Sequence, residues 1–415
     1  MKLNTILISA IKNGKQRELK ENLEELRELA LAVDLHPIDK LKQNLRQIDS
    51  AFLIGSGKRK ELEQKVKTFK AHYVIFDHPL TGVQTRNLEK LLKVSVLDRT
   101  QLILKIFARR ARSHEGKLQV ELAQLMDQMP RMTGAWLGSL SRQGGGRFVK
   151  GPGEKALETD RRQIQNRIQK IKEKLEKVKK NRIQHRQTRL KKKIPSFALI
   201  GYTNSGKSTL LNRLTKSNVA VKDQAFMTLD PKTRKLFIPG TTNPSVITDT
   251  VGFIRKLPTH LISAFKATLE ESASADIILH VVDSAHPKRN QHIKVVDALI
   301  EEFQWNEKPI LYVFNKMDLL SREKLFLHKE CENRIPISAR TGWNIPVLLE
   351  KLKKMIQQFD KNMELFFPKA QEHQIYELSR FSQILKKETH NKGTYCEIKI
   401  PSDKTQMWKK YLIKK

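Results

Sequence analysis

Ser196-Phe197-Ala198-Leu199-Ile200-Gly201-Tyr202-Thr203-Asn204-Ser205-Gly206-Lys207-Ser208-Thr209 decides the fold. Residues 197–200 read as a buried strand that runs into G-x-x-x-x-G-K-S, with a helix starting near Lys207. Glycines at 201 and 206 let backbone N–H groups curl around phosphates. Lys207 is then expected to reach the β- and γ-phosphates, and the Ser208 hydroxyl to take a Mg²⁺ coordination place. This places an α/β P-loop domain in the second half of the chain.

Further along, the motifs keep the order such a domain requires. Asp249-Thr250-Val251-Gly252 follows a strand as D-x-x-G, with Asp249 holding Mg²⁺ through water and the Gly252 N–H meeting the γ-phosphate. Asn315-Lys316-Met317-Asp318 ends another strand, and the Asp318 carboxylate can accept from guanine N1–H and N2–H₂ together, a pair adenine lacks. Ser338-Ala339-Arg340 then offers the Ala339 N–H to guanine O6. Between the P-loop and Asp249, Phe226-Met227-Thr228-Leu229-Asp230 holds the favoured Mg²⁺ and γ-phosphate threonine, Thr228, with Thr233, Thr241 and Thr242 as competitors. Lys207, Thr228 and Gly252 are the expected catalytic set. After Gly252 stands Phe253, an apolar ring that cannot orient water, so hydrolysis is expected to be slow until a partner supplies or orders a catalytic group. The sequence therefore reads as a GTPase. An ATPase sharing the P-loop is disfavoured by the Asn315 to Asp318 motif.

Outside that domain, residues 1–97 alternate apolar runs (6–11, 52–54, 73–76, 94–97) with charged helical stretches, the rhythm of a small α/β domain. From Asp98 the strand pattern stops. Leu118, Leu122, Leu125 and Met129 mark a helix expected to end near Pro130, and Gly144-Gly145-Gly146 and Gly151-Pro152-Gly153 form a loop. A seam of Leu157, Ile164, Ile168, Ile171, Leu175 and Val178 follows, within a stretch dominated by Lys and Arg. Residues 98–194 thus read as two antiparallel helices with a glycine-rich tip, 195–360 as the P-loop domain, and 361–415 as a small α+β tail with strands near 365–367 and 394–400 and a helix near 376–387. The 415 residues carry a formal net charge of +35, which favours a polyanionic partner, and the basic arm is where nucleic acid is expected. Cys331 and Cys396 form no C-x-x-C, so neither zinc nor a disulfide framework is expected. Nowhere do about 18 apolar residues run together, so no membrane span is expected.

G-Y-T-N-S-G-K-S-T-L, F-M-T-L-D-P, D-T-V-G-F-I, N-K-M-D and S-A-R, with S-R-Q-G-G-G at residues 141–146 and G-P-G-E and L-E-T-D-R-R at residues 151–162, resemble the HflX-type GTPases over nearly the whole chain. The glycine-rich segment is the most family-specific part. The resemblance implies a cytoplasmic GTPase whose N-terminal domain and arm bind the large ribosomal subunit and its RNA, acting in ribosome splitting or rescue under stress. It makes Arg142, Gln143, Arg147, Arg161 and Arg162 the expected RNA contacts. Lys155 and Ala156 replace the polar pair usual in the family's G-P-G-E-T-Q-L-E-T-D. Asn204 resembles the asparagine that helps hold K⁺ in potassium-activated GTPases, and Gly55-Ser56-Gly57-Lys58 resembles a family turn without a catalytic role. A monomer is expected. The competing reading is an RNA-binding ribosome-assembly factor for which GTP is a structural switch.

Overall fold

The computed structural model describes residues 3–13, 16–140, 152–191, 194–217, 226, 232–241, 244–250, 252–256, 258, 261, 275–320, 333–358, 360–380, 382–400 and 404–413, with side chains of 133–140, 152–157 and 181–191 left aside. The chain forms two compact units. The first gathers 1–179 with 222–230 and 251–269, and the second gathers 180–221, 231–250 and 270–415.

In the first unit a parallel sheet runs in the order β2-β1-β3-β4, from β1 (Leu3–Lys12), β2 (Leu35–Leu45), β3 (Tyr73–Phe76) and β4 (Ser95–Asp98). Helices between parallel strands cover both faces, which is why Ile6, Leu7 and Ile8 are all buried on the inner strand β1. Helix α1 (Gln16–Leu31) turns Leu19, Leu23, Leu26 and Ala30 inward at helical spacing. Helices α2 (Ser56–Thr68) and α3 (Gly82–Leu92) complete the crossovers, and α4 (Arg99–Arg110) follows β4. Capping boxes start two of these helices, Thr81 with Gln84 on α3 and Asp98 with Gln101 on α4.

Two expectations change here. Strand β2 was not legible, because His36, Asp39, Lys40, Lys42, Gln43 and Asn44 dilute its β signal. As an edge strand paired to β1 alone it tolerates both these residues and Pro37. Residues 52–54 are not a strand but a turn. Asp49 Oδ1 accepts the N–H groups of Ala51 at 2.8 Å and Phe52 at 3.0 Å, and Leu53 adopts φ 68°.

Helix α5 (His114–Leu140) runs through Pro130 rather than ending there. The lost N–H bond is braced at that turn by Arg131, which donates to Asp127 at 2.9 Å, to Asp98 at 2.8 Å and to the Leu80 carbonyl at 3.1 Å. Helix α6 (Pro152–Lys191) is the basic stretch. Ile171 is buried and Ile164, Ile168, Leu175 and Val178 half-buried along one stripe, while most positions between them are exposed. Arg167 bonds Glu121 of α5 at 2.7 Å.

In the second unit the sheet order is β10-β9-β8-β5-β7-β6, from β5 (Ser196–Ile200), β6 (Lys232–Leu236), β7 (Ser245–Asp249), β8 (Ile277–Asp283), β9 (Ile310–Asn315) and β10 (Arg334–Pro336). The pairings are parallel except β6 with β7, so β6 begins three residues earlier than its apolar run suggests and lies on the edge. Helices α7 (Lys207–Thr215), α8 (Arg289–Glu302) and α9 (Ile345–Gln357) belong to this unit, and a core of Phe197, Leu199, Leu210, Leu279, Val313 and Leu348 fills it. The tail adds an antiparallel sheet, β11 (Lys361–Pro368), β13 (Gly393–Ile400) and β12 (Gln383–His390) in that order, with helix α10 (Gln374–Ser379). Residues 383–387, expected in a helix, are strand: pairing of Ile384 with Ile398 overrides the helix preference of Leu-Lys-Lys-Glu.

Candidate guanine-nucleotide site

Strand β5 delivers the P-loop to the carboxyl edge of the sheet, and α7 carries it away. Gly201 has φ 150°, and a Cβ there would lie 2.2 Å from the Val281 carbonyl oxygen. Gly206 has φ 91°, and its Cβ would strike Asn315 Nδ2. That second clash has a purpose, since Asn315 Nδ2 reaches across to donate to the Ser205 carbonyl at 2.9 Å and ties the base-reading motif to the phosphate loop. Asn204 takes φ 62° and is exposed, and Ser205 is buried.

Lys207 is buried, and its Nζ donates to the carbonyls of Gly201 at 3.0 Å and Tyr202 at 2.8 Å. Burial drives this ammonium down to about 8, against an opposing pull from Asp249 and with help from Lys316. Ser208 Oγ donates to Asp249 Oδ2 at 2.7 Å, so the end of β7 and the start of α7 bring two hard oxygen donors together. That pairing is the chemistry Mg²⁺ selects. Among the described residues no group of three or more His, Cys, Asp or Glu gathers for a metal. Beside them the Thr250 hydroxyl is committed to the Leu199 carbonyl at 2.7 Å.

At the base end, Ala339 N–H donates to Asn315 Oδ1 at 2.9 Å, and Ser338 Oγ to Asp318 Oδ1 at 2.6 Å. Lys316, at φ 64°, pairs with Asp283 at 2.7 Å, while Asp318 and Arg340 stay exposed. The sequence motifs Gly201 to Ser208, Asp249, Asn315 to Asp318 and Ser338 to Arg340 thus lie at carboxyl ends of strands of one sheet, where open α/β sheets bind ligands. Arg213 was not found from the sequence. It sits on α7 beyond the motif and donates to the carbonyls of Ala339, at 3.1 Å, and Arg340. Nor was a column of rings found in which Tyr202 stacks on His292 at 3.7 Å and His292 lies 4.3 Å from His286. No spacing rule marks either one.

Met227, Thr228, Leu229, Asp230 and Val251 lie outside the described residues, as do Arg142, Gln143 and Arg147. Arg161 and Arg162 are exposed on α6. Three other expected or neighbouring positions fall within the first unit. The Phe226 ring is buried edge-on against Phe107 at 4.7 Å, Gly252 is buried, and Phe253 is 4% exposed. In the same unit the buried Arg99 binds Asp77 at 2.8 Å, Glu25 at 3.0 Å and the Arg255 carbonyl at 3.1 Å, and Asp77 also holds Lys256 at 2.9 Å.

A phosphate loop tied through asparagine to a guanine-reading motif, with a serine and an aspartate paired below it, makes the second unit a P-loop GTPase. Residues 196–316 match the family described as 50S ribosome-binding GTPase, and residues 20–108 and 110–189 match the N-terminal and middle regions of GTP-binding GTPases. The chain is 40% identical over 398 residues to GTPase HflX of Lacrimispora saccharolytica, covering 96% of this chain and 94% of that protein. It is 44% identical over 405 residues to GTPase HflX of Caldanaerobacter subterraneus subsp. tengcongensis, covering 96% and 92%. To GTPase HflX of Escherichia coli K12 it is 44% identical over 339 residues, covering 81% and 79%. The chain belongs to the HflX family of GTPases, proteins associated with ribosome function.

Proposed function

We propose that this GTPase binds the large ribosomal subunit through residues 98–194 and couples GTP binding and hydrolysis to splitting or rescue of ribosomes in the cytoplasm, acting as a monomer. The observation that carries this reading is the cationic surface of α6, where Arg161, Arg162, Lys170, Lys172 and Lys174 are exposed and outnumber Glu158, Asp160 and Glu173 beside them. Such a face is stabilised by a polyanion, and ribosomal RNA supplies one. With Arg142, Gln143 and Arg147 at the glycine-rich tip, Arg161 and Arg162 make the RNA contacts. Residues 1–97 complete the subunit-binding half, 195–360 turn over GTP, and 361–415 form the tail.

GTP and GDP occupy the site built in the second unit on Gly201 to Thr209, Asp249, Thr250, Asn315 to Asp318 and Ser338 to Arg340, and Phe226 to Asp230, Val251 and Gly252 are assigned to the nucleotide from sequence order alone. Ser208, Thr228 and Asp249, the last through water, would hold Mg²⁺, and the ion would supply charge neutralisation at the phosphates. Lys207 binds and orients those phosphates. Asn204 helps hold a K⁺ ion.

Co-sedimentation of the full chain with purified ribosomes and subunits tests the proposal, with GTP, GDP and a non-hydrolysable GTP analogue compared. The expected result is association with the large subunit in the triphosphate state that GDP weakens. Absence of nucleotide-dependent association with any subunit would sink the ribosomal role, and affinity unchanged in Lys207→Ala would favour an assembly factor.

A further inference from the structure

The loop that reads guanine O6 is held from three sides. Asn315 Oδ1 accepts the Ala339 N–H at 2.9 Å, Asp318 Oδ1 accepts the Ser338 hydroxyl at 2.6 Å, and Arg213 donates to the Ala339 carbonyl at 3.1 Å and to the Arg340 carbonyl. The Ala339 N–H and the Asp318 carboxylate in these bonds are the groups assigned to guanine itself. With a base bound, the single Ala339 N–H is needed by O6 and is lost to Asn315, while the two oxygens of Asp318 can accept N1–H and N2–H₂ and still hold the Ser338 hydroxyl, so the Asn315 tether competes with the ligand. The bonds from Arg213 do not, because they fall on the Ala339 and Arg340 carbonyls and leave the base-reading N–H unused. Gly342, at φ 89°, lets the loop close over the guanidinium, and a Cβ there would come 3.6 Å from it.

We infer that Arg213 is a positioning residue for guanine recognition: it keeps the Ala339 N–H aimed at O6 once that N–H leaves Asn315 for the base. A planar guanidinium holds two successive carbonyls at fixed spacing, which a flexible ammonium does not. Lys207 and Ser208 begin the same helix, six residues or about 9 Å earlier, so α7 addresses the phosphates at one end and sets the base-reading loop near the other. The inference rests on the assignment of residues 338–340 to the guanine base.

Displacement of fluorescent GDP from the full chain tests it, using GDP, inosine diphosphate and the diphosphate of 2-aminopurine riboside, which keeps the 2-amino group and lacks both O6 and the N1–H. Wild type is expected to prefer GDP over the 2-aminopurine nucleotide. Arg213→Met should weaken GDP and inosine diphosphate alike by about tenfold and leave the 2-aminopurine nucleotide nearly unchanged, with Arg213→Lys between. A GDP to 2-aminopurine affinity ratio that does not move in Arg213→Met overturns the inference. If wild type itself fails to discriminate those two nucleotides, the base assignment fails and takes the inference with it. A ratio of affinities is independent of how much of a variant folds.

Discussion

A single ammonium sets how the pocket responds to pH. Lys207 rests on two backbone carbonyls in a buried position, and burial lowers its pKa to about 8. Phosphates need the charged form. Below about 8 it is already charged and binding is complete; above it, each nucleotide must bring a proton, so affinity falls as pH rises. GTP affinity is therefore expected to drop by about tenfold between pH 7.5 and 9, as a fluorescence titration will read. Lys207→Arg, whose guanidinium stays charged throughout, should bind more weakly and with a flatter profile. Parallel profiles for the two proteins would count against a titrating Lys207.

At the level of elements, β8 carries the clearest pH liability. It is buried along nearly its whole length, and His280 within it is 1% exposed, 3.5 Å from Asp297 and beside Tyr312. Burial lowers the His280 proton affinity, only partly offset by Asp297, so the folded chain keeps the ring neutral where the unfolded chain protonates it. Stability is then complete above the unfolded value of about 6.5 and is lost as pH falls below it. Thermal unfolding at pH 7.5, 6.5 and 5.5 should show a steeper acid loss for wild type than for His280→Gln, by up to about 1.4 kcal/mol per pH unit. Equal slopes would exclude His280 as the source. The sequence displayed β8 plainly because a strand buried on both faces is a nearly continuous apolar run, interrupted here by His280. It hid β2 and β12, whose lysines and polar residues are tolerated only because pairing with β1 and β13 fixes them. The site divides in the same way. Gly201 to Ser208, Asp249 and Asn315 to Asp318 were legible because phosphate and guanine chemistry dictate both residue type and spacing. Arg213 and His292 were not, since each acts through a contact between segments far apart in the chain and matches no local pattern.

Over the whole molecule, two features point to hydrolysis that waits for a partner. The position after Gly252 is filled by the buried Phe253 ring, which offers nothing to polarise water. The chain also carries a net charge of +35, densely along α6, which suits the phosphate-rich partner proposed above. Turnover by the purified protein is expected to be slow and to rise by about a hundredfold or more when large subunits are added. Because encounter depends on neutralising phosphates, the subunit concentration needed for half-maximal stimulation should climb steeply between about 50 and 200 mM salt, while basal turnover stays nearly level. Replacing Arg161 and Arg162 with Gln should shallow that salt dependence by up to two phosphate contacts without altering the basal rate. A phosphate-release assay measures all three, and turnover as fast without subunits as with them would show that the active site is complete in itself.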